Sequence, residues 1–115
     1  MTSNSCLFCK IAGGEIPADI RYQDERVVVF TDINPQAPTH LLVIPRQHIS
    51  TLNELDDTEE SLAGYMILTA RRIAAEYNIA EKGFRLVMNC NGEGGQTVFH
   101  VHLHILGGRQ MRRMG

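Results

Sequence analysis

At 115 residues, the chain has the length of a single domain spanning 1–115, long enough to bury a core and too short for two. Hydrophobic residues make up 43% and charged residues 21%, an ordinary globular composition, and a formal net charge of −2 with no basic run argues against attachment to nucleic acid. No apolar run approaches the ~20 residues of a membrane span, and MTSNSCLFCK lacks the layout of a secretion signal, so a cytoplasmic protein without a membrane partner is expected.

In chain order, the first feature is Cys6-x-x-Cys9. Alone it supplies only two metal ligands; a redox reading lacks the preceding strand of thioredoxin-like sites, and buried structural thiols are the simplest alternative. Three cysteines, an odd number, do not make a disulfide framework. The run YQDERVVVF, Tyr22 to Phe30, reads as a charged turn feeding a β-branched strand. Pro35 and Pro38 mark an irregular loop, after which THLLVIP reads as a buried strand ending at Pro45. Asp57 and Glu60 have the spacing of a capping box at the start of a long helix, from about Thr58 to Asn78. Its apolar stripe is Leu62, Met66, Ala70, Ile73, Ala74 and Tyr77. FRLVMNC alternates like a strand, and the glycine-rich NGEGGQT leads to a last strand, VFHVHLHILGG. Short strands around one long helix predict an α+β domain with a mainly antiparallel sheet.

That last strand concentrates three of the five histidines, His100, His102 and His104, at alternate positions. In a strand they share one face, while Phe99, Val101, Leu103 and Ile105 line the other and pack against the helix. Neighbouring histidine Cα atoms would stand ~6.5–7 Å apart. A parallel row offers one metal two ligands more readily than three. It suits a central nucleophile flanked by groups that orient it, although a surface or core histidine strand, or an adventitious metal patch, produces the same pattern. The preceding loop adds context: Gly92, Gly94 and Gly95 permit backbone conformations and close approaches in which amides can form an anion-binding concavity, with Gln96 and Thr97 as donors at its rim. A plain tight turn is the alternative.

HVHLHIL, preceded by NGEGGQTVF and followed by GGRQM, resembles the motif of the histidine triad (HIT) family, and DINPQAPTHLLVIPRQHIS is similar to the upstream half of its Hint branch of nucleotide-binding phosphoramidases. The likeness runs from about Cys6 to Met111. It implies a HIT-like fold, with a mainly antiparallel five-stranded sheet, one long helix and one short one. It also implies a hydrolase or nucleotidyl transferase acting at the α-phosphorus of purine nucleoside 5′-phosphoramidates. By resemblance, His102 is the nucleophile, forming a covalent nucleotidyl-histidine that water resolves to the monophosphate. His104 then contacts the phosphate and His40 is a fourth, supporting histidine. Asn89, Gln96 and Thr97 match residues that hold the phosphate and leaving group, Asp32 the ribose carboxylate, and Phe30 and Ile33 apolar walls of the base pocket. Without the resemblance, Asp32 could simply start the turn at Asn34-Pro35, His40 could be a surface residue, and Phe30 and Ile33 plain core.

Some relatives bind structural zinc through positions that here are Cys6, Cys9, His48 and His100, a closed set of two thiolates and two imidazoles. The chemistry itself needs no cofactor on this reading, and Cys90 has no partner in it. The family implies a purine nucleotide (AMP- or GMP-like) ligand and a homodimer, for which the helix shows no seam of its own. Arg112 and Arg113 stand where some relatives carry an aromatic tail, and Thr31 where relatives can have histidine. A dinucleoside polyphosphate hydrolase and a non-catalytic nucleotide- or partner-binding regulator are the rival functions.

Overall fold

Two short apolar runs, VVVF and LLVI, form the middle of the sheet and are covered on both faces. The computed structural model describes residues 5–115; residues 1–4, part of the amino-terminal stretch and of the expected 1–115 domain, lie outside the described residues. The elements in order are α1 (Leu7–Ala12), β1 (Ile20–Gln23), β2 (Val27–Thr31), β3 (Thr39–Pro45), 3-10 turns at Leu52–Glu54 and Asp57–Glu59, α2 (Glu60–Glu76), β4 (Phe84–Val87) and β5 (Leu103–Gly107). The five strands form one sheet in the order β1-β2-β3-β5-β4, every neighbouring pair antiparallel. This is the expected α+β arrangement, with one long and one short helix.

Strand alternation sends Val27, Val29, Leu41 and Val43 to one face, where they pack with Met66, Ala70, Ile73 and Ala74 of α2 and with Val101, Leu103 and Ile105. Val28, Phe30, Leu42 and Ile44 point the other way, onto Phe8, Cys9 and Ile11 of α1. A strand buried on both sides has no polar face to show, hence the unbroken apolar runs. Full burial of one such Ile or Leu contributes about 1.5–3 kcal/mol.

Local chemistry sets the boundaries. The charged corner after Gln23 is organised by Asp24, whose Oδ1 accepts the N–H groups of Arg26 (2.8 Å) and Val27 (2.9 Å) and whose Oδ2 accepts the hydroxyls of Tyr22 (2.7 Å) and Tyr65. Tyr22 and Gln23, expected in the turn, belong to β1. The capping box is one residue earlier than expected, at Asp56 and Glu59, because a 3-10 turn precedes α2. DDTEE offers two registers with the same spacing, and the chosen one leaves Leu55 packed on the core. Helix α2 ends two residues short of Asn78, which adopts a left-handed conformation at φ 60°.

The largest departure concerns the histidine strand. Only His104 lies on the regular ladder, since β5 begins at Leu103. The groups that would extend pairing toward His100 are otherwise engaged. Pro45 has no N–H to give, its carbonyl is bonded to His100 Nε2 (2.8 Å), and the His100 carbonyl is bonded to His102 Nδ1 (2.7 Å). The Val101 N–H donates to Ile49 O (2.7 Å). Alternation nevertheless survives off the ladder, with Val101 in the α2-side core and His100 and His102 against Phe8. Phe99 does not join that core; it is 47% exposed. Likewise FRLVMNC is a strand only as far as Val87.

Candidate active site

The sheet register brings two histidines together. Leu42 of β3 faces His104 of β5, so His40, two residues before Leu42, is a diagonal neighbour of His104 on the same face. Their rings meet with His40 Nε2 2.9 Å from His104 Nδ1. His40 is buried, 6% exposed, not a surface residue. His102 follows along the same face, its ring centroid 5.0 Å from that of His104 and 5.1 Å from that of Phe8.

Backbone partners decide which nitrogen of each ring carries the proton. A carbonyl only accepts, so His102 Nδ1–H donates to His100 O and Nε2 is left with the lone pair. By the same logic His100 Nε2–H donates to Pro45 O, leaving the Nδ1 lone pair. At His40 the order is reversed: the Gln36 N–H donates to Nδ1 (3.0 Å), so Nε2 bears the hydrogen, which is given to His104 Nδ1. His104 in turn carries its hydrogen on Nε2. His40 Nε2 also stands 3.3 Å from Asp32 Oδ2.

Burial pushes the His104 imidazole down to about 4, with His102 and His40 adding to the effect and Asp32 opposing it. His40 is lowered too, by burial acting against Asp32. Both rings are therefore neutral at pH 7. A folded pKa below the unfolded value of 6.5 means that between the two the unfolded chain binds more protons, so stability rises with pH across that window and falls on acidification. The thermal midpoint is expected to drop as pH goes from about 6.5 toward 4, and less steeply in a His104→Gln variant. An unchanged slope in that variant would remove His104 from the account.

The glycine-rich loop folds on itself. Gly95 has φ 84°, and a Cβ at Gly94 would run into the Cys90 carbonyl, so both positions require glycine. Asn89 Nδ2 donates to Gly94 O (2.6 Å). Gln96 departs from the expected rim position: its side chain is buried, accepting from Asn91 N–H (2.8 Å) and donating to Ser50 O (2.8 Å) and Val98 O (3.0 Å). It braces the loop. Thr97 is exposed at the loop's end, beside the histidine segment.

Asp32 lies at the mouth of the Pro35–Pro38 loop and also makes the turn, Oδ1 accepting from Asn34 N–H (2.8 Å). Phe30 is core, 4% exposed, whereas Ile33 stands 97% exposed next to Asp32. Two participants had no clear advance signal. The Gln36 amide acts through its backbone, which sequence does not mark, and Phe8, inside C-x-x-C, meets His102 only through the fold. At the carboxyl end, Arg112 and Arg113 are held through their carbonyls by the Arg85 guanidinium (2.7 and 3.1 Å). A cavity of about 840 Å³, lined by Lys82, Arg85, Arg109 and Met111 among others, includes none of the histidines.

Cys6, Cys9, His48 and His100 converge, their ligand atoms all within 4.8 Å of one another. Cys6 Sγ is 3.4 Å and Cys9 Sγ 3.5 Å from His100 Nδ1, and His48 Nδ1 is 3.2 Å from Cys9 Sγ and 3.3 Å from His100 Nδ1. Tetrahedral zinc at ~2.3 Å from sulfur and ~2.0–2.1 Å from nitrogen implies ligand–ligand edges of about 3.3–3.8 Å. The donor set therefore fits. His100 presents a lone pair there while its other nitrogen is anchored on a carbonyl, as metal-bound histidines require, and burial brings its pKa down to about 4 despite the Pro45 bond. A second group, Asp32, His40 and His104, is as close, but there His40 turns an N–H inward. That group is built to hold a proton.

The HIT domain model matches residues 13–111. The chain belongs to the HIT domain family. It is 51% identical over 108 residues to the purine nucleoside phosphoramidase of Escherichia coli strain K12, covering 94% of this chain and 91% of that protein. A HIT-like protein of Synechococcus elongatus is 47% identical, with 95% of each chain covered. Among solved structures, a histidine triad protein from Clostridium difficile superposes with a TM-score of 0.96 at 41% identity over the full length of both chains. A HIT family hydrolase from Legionella pneumophila gives 0.93 at 51% identity, covering 94% of this HIT protein and 96% of its own chain.

Proposed function

We propose that this protein, as a single HIT domain, hydrolyses purine nucleoside 5′-phosphoramidates at the α-phosphorus, with His102 as nucleophile. The observation that carries the reading is the His102 Nδ1–H bond to the His100 carbonyl (2.7 Å), which leaves Nε2 unprotonated. In the first step the Nε2–phosphorus bond forms and the phosphorus–nitrogen bond breaks, its electron pair going to the amine nitrogen, which takes a proton from solvent as it leaves. The ring becomes cationic, and its Nδ1–H bond strengthens as that charge develops. In the second step water attacks phosphorus and gives up a proton to solvent, the Nε2–phosphorus bond breaks with its electron pair returning to the ring, and the nucleoside monophosphate departs. His104, supported by His40, directs its Nε2–H to a phosphate oxygen. Asn89 and Thr97 hold the phosphate and leaving group, with Gln96 shaping their loop. Asp32 accepts from ribose, and exposed Ile33, backed by Phe30, covers the base.

The same reading assigns structural zinc to Cys6, Cys9, His48 and His100. There the metal would join the amino-terminal segment to the residue whose carbonyl orients His102, and it takes no part in the chemistry. It also places the protein in the cytoplasm, as a homodimer. The support for dimerisation is the edge position of β4 in the sheet and, separately, Ile67 and Leu68 of α2, exposed at 50% each. Among the described residues no helix is long and apolar enough to cross a membrane.

The test compares purified protein on adenosine 5′-phosphoramidate and on a dinucleoside polyphosphate. Turnover of the first should exceed that of the second by at least about a hundredfold in kcat/KM, equivalent to about 2.7 kcal/mol of transition-state discrimination. Preference for the dinucleotide would move the protein to the rival hydrolase class, and nucleotide binding without turnover of either would make it a regulator.

A further inference from the structure

The GGRQ segment after the histidines is not used by the chemistry above, yet it returns to the site. Gly108 adopts φ 97°, and a Cβ there would stand 2.9 Å from Pro38 Cβ. The chain leaving β5 thus turns closely over the Pro35–Pro38 loop, a path that glycine alone allows without strain. Arg109 follows at once, and its Nη2 donates to Gln36 O (2.8 Å). Gln36 is the residue whose N–H meets His40 Nδ1. Its own side chain turns back into the loop, donating to Asn34 O (3.0 Å). Prolines flank the segment and offer no N–H to tie it down. Arg109 therefore links Gln36 to the end of β5, the strand that carries His104.

We infer that Arg109 is a positioning residue: by gripping the Gln36 carbonyl it keeps the Gln36 N–H on His40 Nδ1 and so fixes the direction of the His40-to-His104 hydrogen bond. The alternative His40 tautomer would turn a lone pair toward both the His104 Nδ1 lone pair and the Asp32 carboxylate, an arrangement with no shared proton. Without the grip, His40 is free to sample it, and His104 loses the partner that keeps its own hydrogen on Nε2. The kinetic consequence rests on the function proposed above; the tautomer consequence does not.

The experiment uses the full chain as wild type, Arg109→Ala and Arg109→Lys, with imidazole nitrogen NMR of His40 and steady-state kinetics on adenosine 5′-phosphoramidate. In the wild type, His40 should show an unprotonated Nδ1 and a protonated Nε2. Arg109→Ala should average the two nitrogens and lower kcat about tenfold with KM changed less than about twofold, while Arg109→Lys, which keeps a donor, should restore most of both. A His40 spectrum unaltered in Arg109→Ala overturns the inference, even if the thermal midpoint falls. Should the wild type not turn over the phosphoramidate, the proposed function fails and the spectrum alone decides on Arg109.

Discussion

Replacing His102 with alanine is expected to lower turnover of adenosine 5′-phosphoramidate by about 10⁴-fold or more, with nucleotide binding retained. The size follows from the role. Electrostatic contacts to the phosphate survive in such a variant, but the covalent route is gone, and water must attack directly. The wild type should yield an intact-mass adduct of one nucleoside monophosphate per chain when quenched early, and the alanine variant none. Turnover that persists at the wild-type rate would remove His102 as nucleophile. The surroundings of this ring make the experiment interpretable. It is 6% exposed and packed against Phe8, so its truncation leaves a cavity but no orphaned buried ion. The His100 carbonyl loses one donor, a loss of about 1–3 kcal/mol in stability that a thermal midpoint would register separately.

Removal of the metal is expected to have the largest effect on stability. Purified full-length protein should hold one zinc per chain, and Cys9→Ser should lose it. A ligand that binds only the folded state at a thousandfold over its Kd stabilises by about 4 kcal/mol, so chelation should lower the thermal midpoint by on the order of 15–20 °C for a domain this size. The structural reason is that α1, only six residues long, buries Phe8, Cys9 and Ile11 against the sheet and relies on anchors at its two ends. One is Arg46, which bonds Ala12 O (2.7 Å) and Asp24 O (2.6 Å) and so ties the helix end to the β1–β2 turn. The cysteines and histidines fasten the other end. Wild-type protein purified without chelator that contains no metal, and whose midpoint does not rise on adding zinc, would defeat the assignment.

Much of this was legible in the sequence where one physical requirement acted alone. THLLVIP became β3 over those seven residues because its LLVI stretch, buried on both faces, must be apolar and Pro45 must end it. Met66, Ala70, Ile73 and Ala74 sit on the core because helical spacing leaves them no other face. Legibility failed where two requirements competed for one group. His100 and His102 keep the two-residue alternation of a strand, but their rings take the carbonyls that would have made the ladder, and the spacing of letters does not reveal such a substitution. Phe99 looked like core by the same alternation and is not. Gln96 looked like a rim donor because amides usually are, but the Asn91 N–H and the carbonyls of Ser50 and Val98 hold it inside. Asp32 answered to both of its readings at once, one oxygen on the turn and the other facing His40. The four metal-ligating candidates lie up to 94 residues apart in the chain, and only folding brings them within reach.

The point at which β5 begins separates two neighbouring histidines mechanically. His104 is woven into the sheet, paired opposite Leu42 and Val87, and displacing it means breaking interstrand bonds on both sides. His102, one residue ahead of the first paired position, is held instead by its own ring, through the Nδ1–H bond to the His100 carbonyl (2.7 Å) and the packing against Phe8. Two imidazoles two residues apart on a single segment are thus secured by different means, one by its backbone and the other by its side chain.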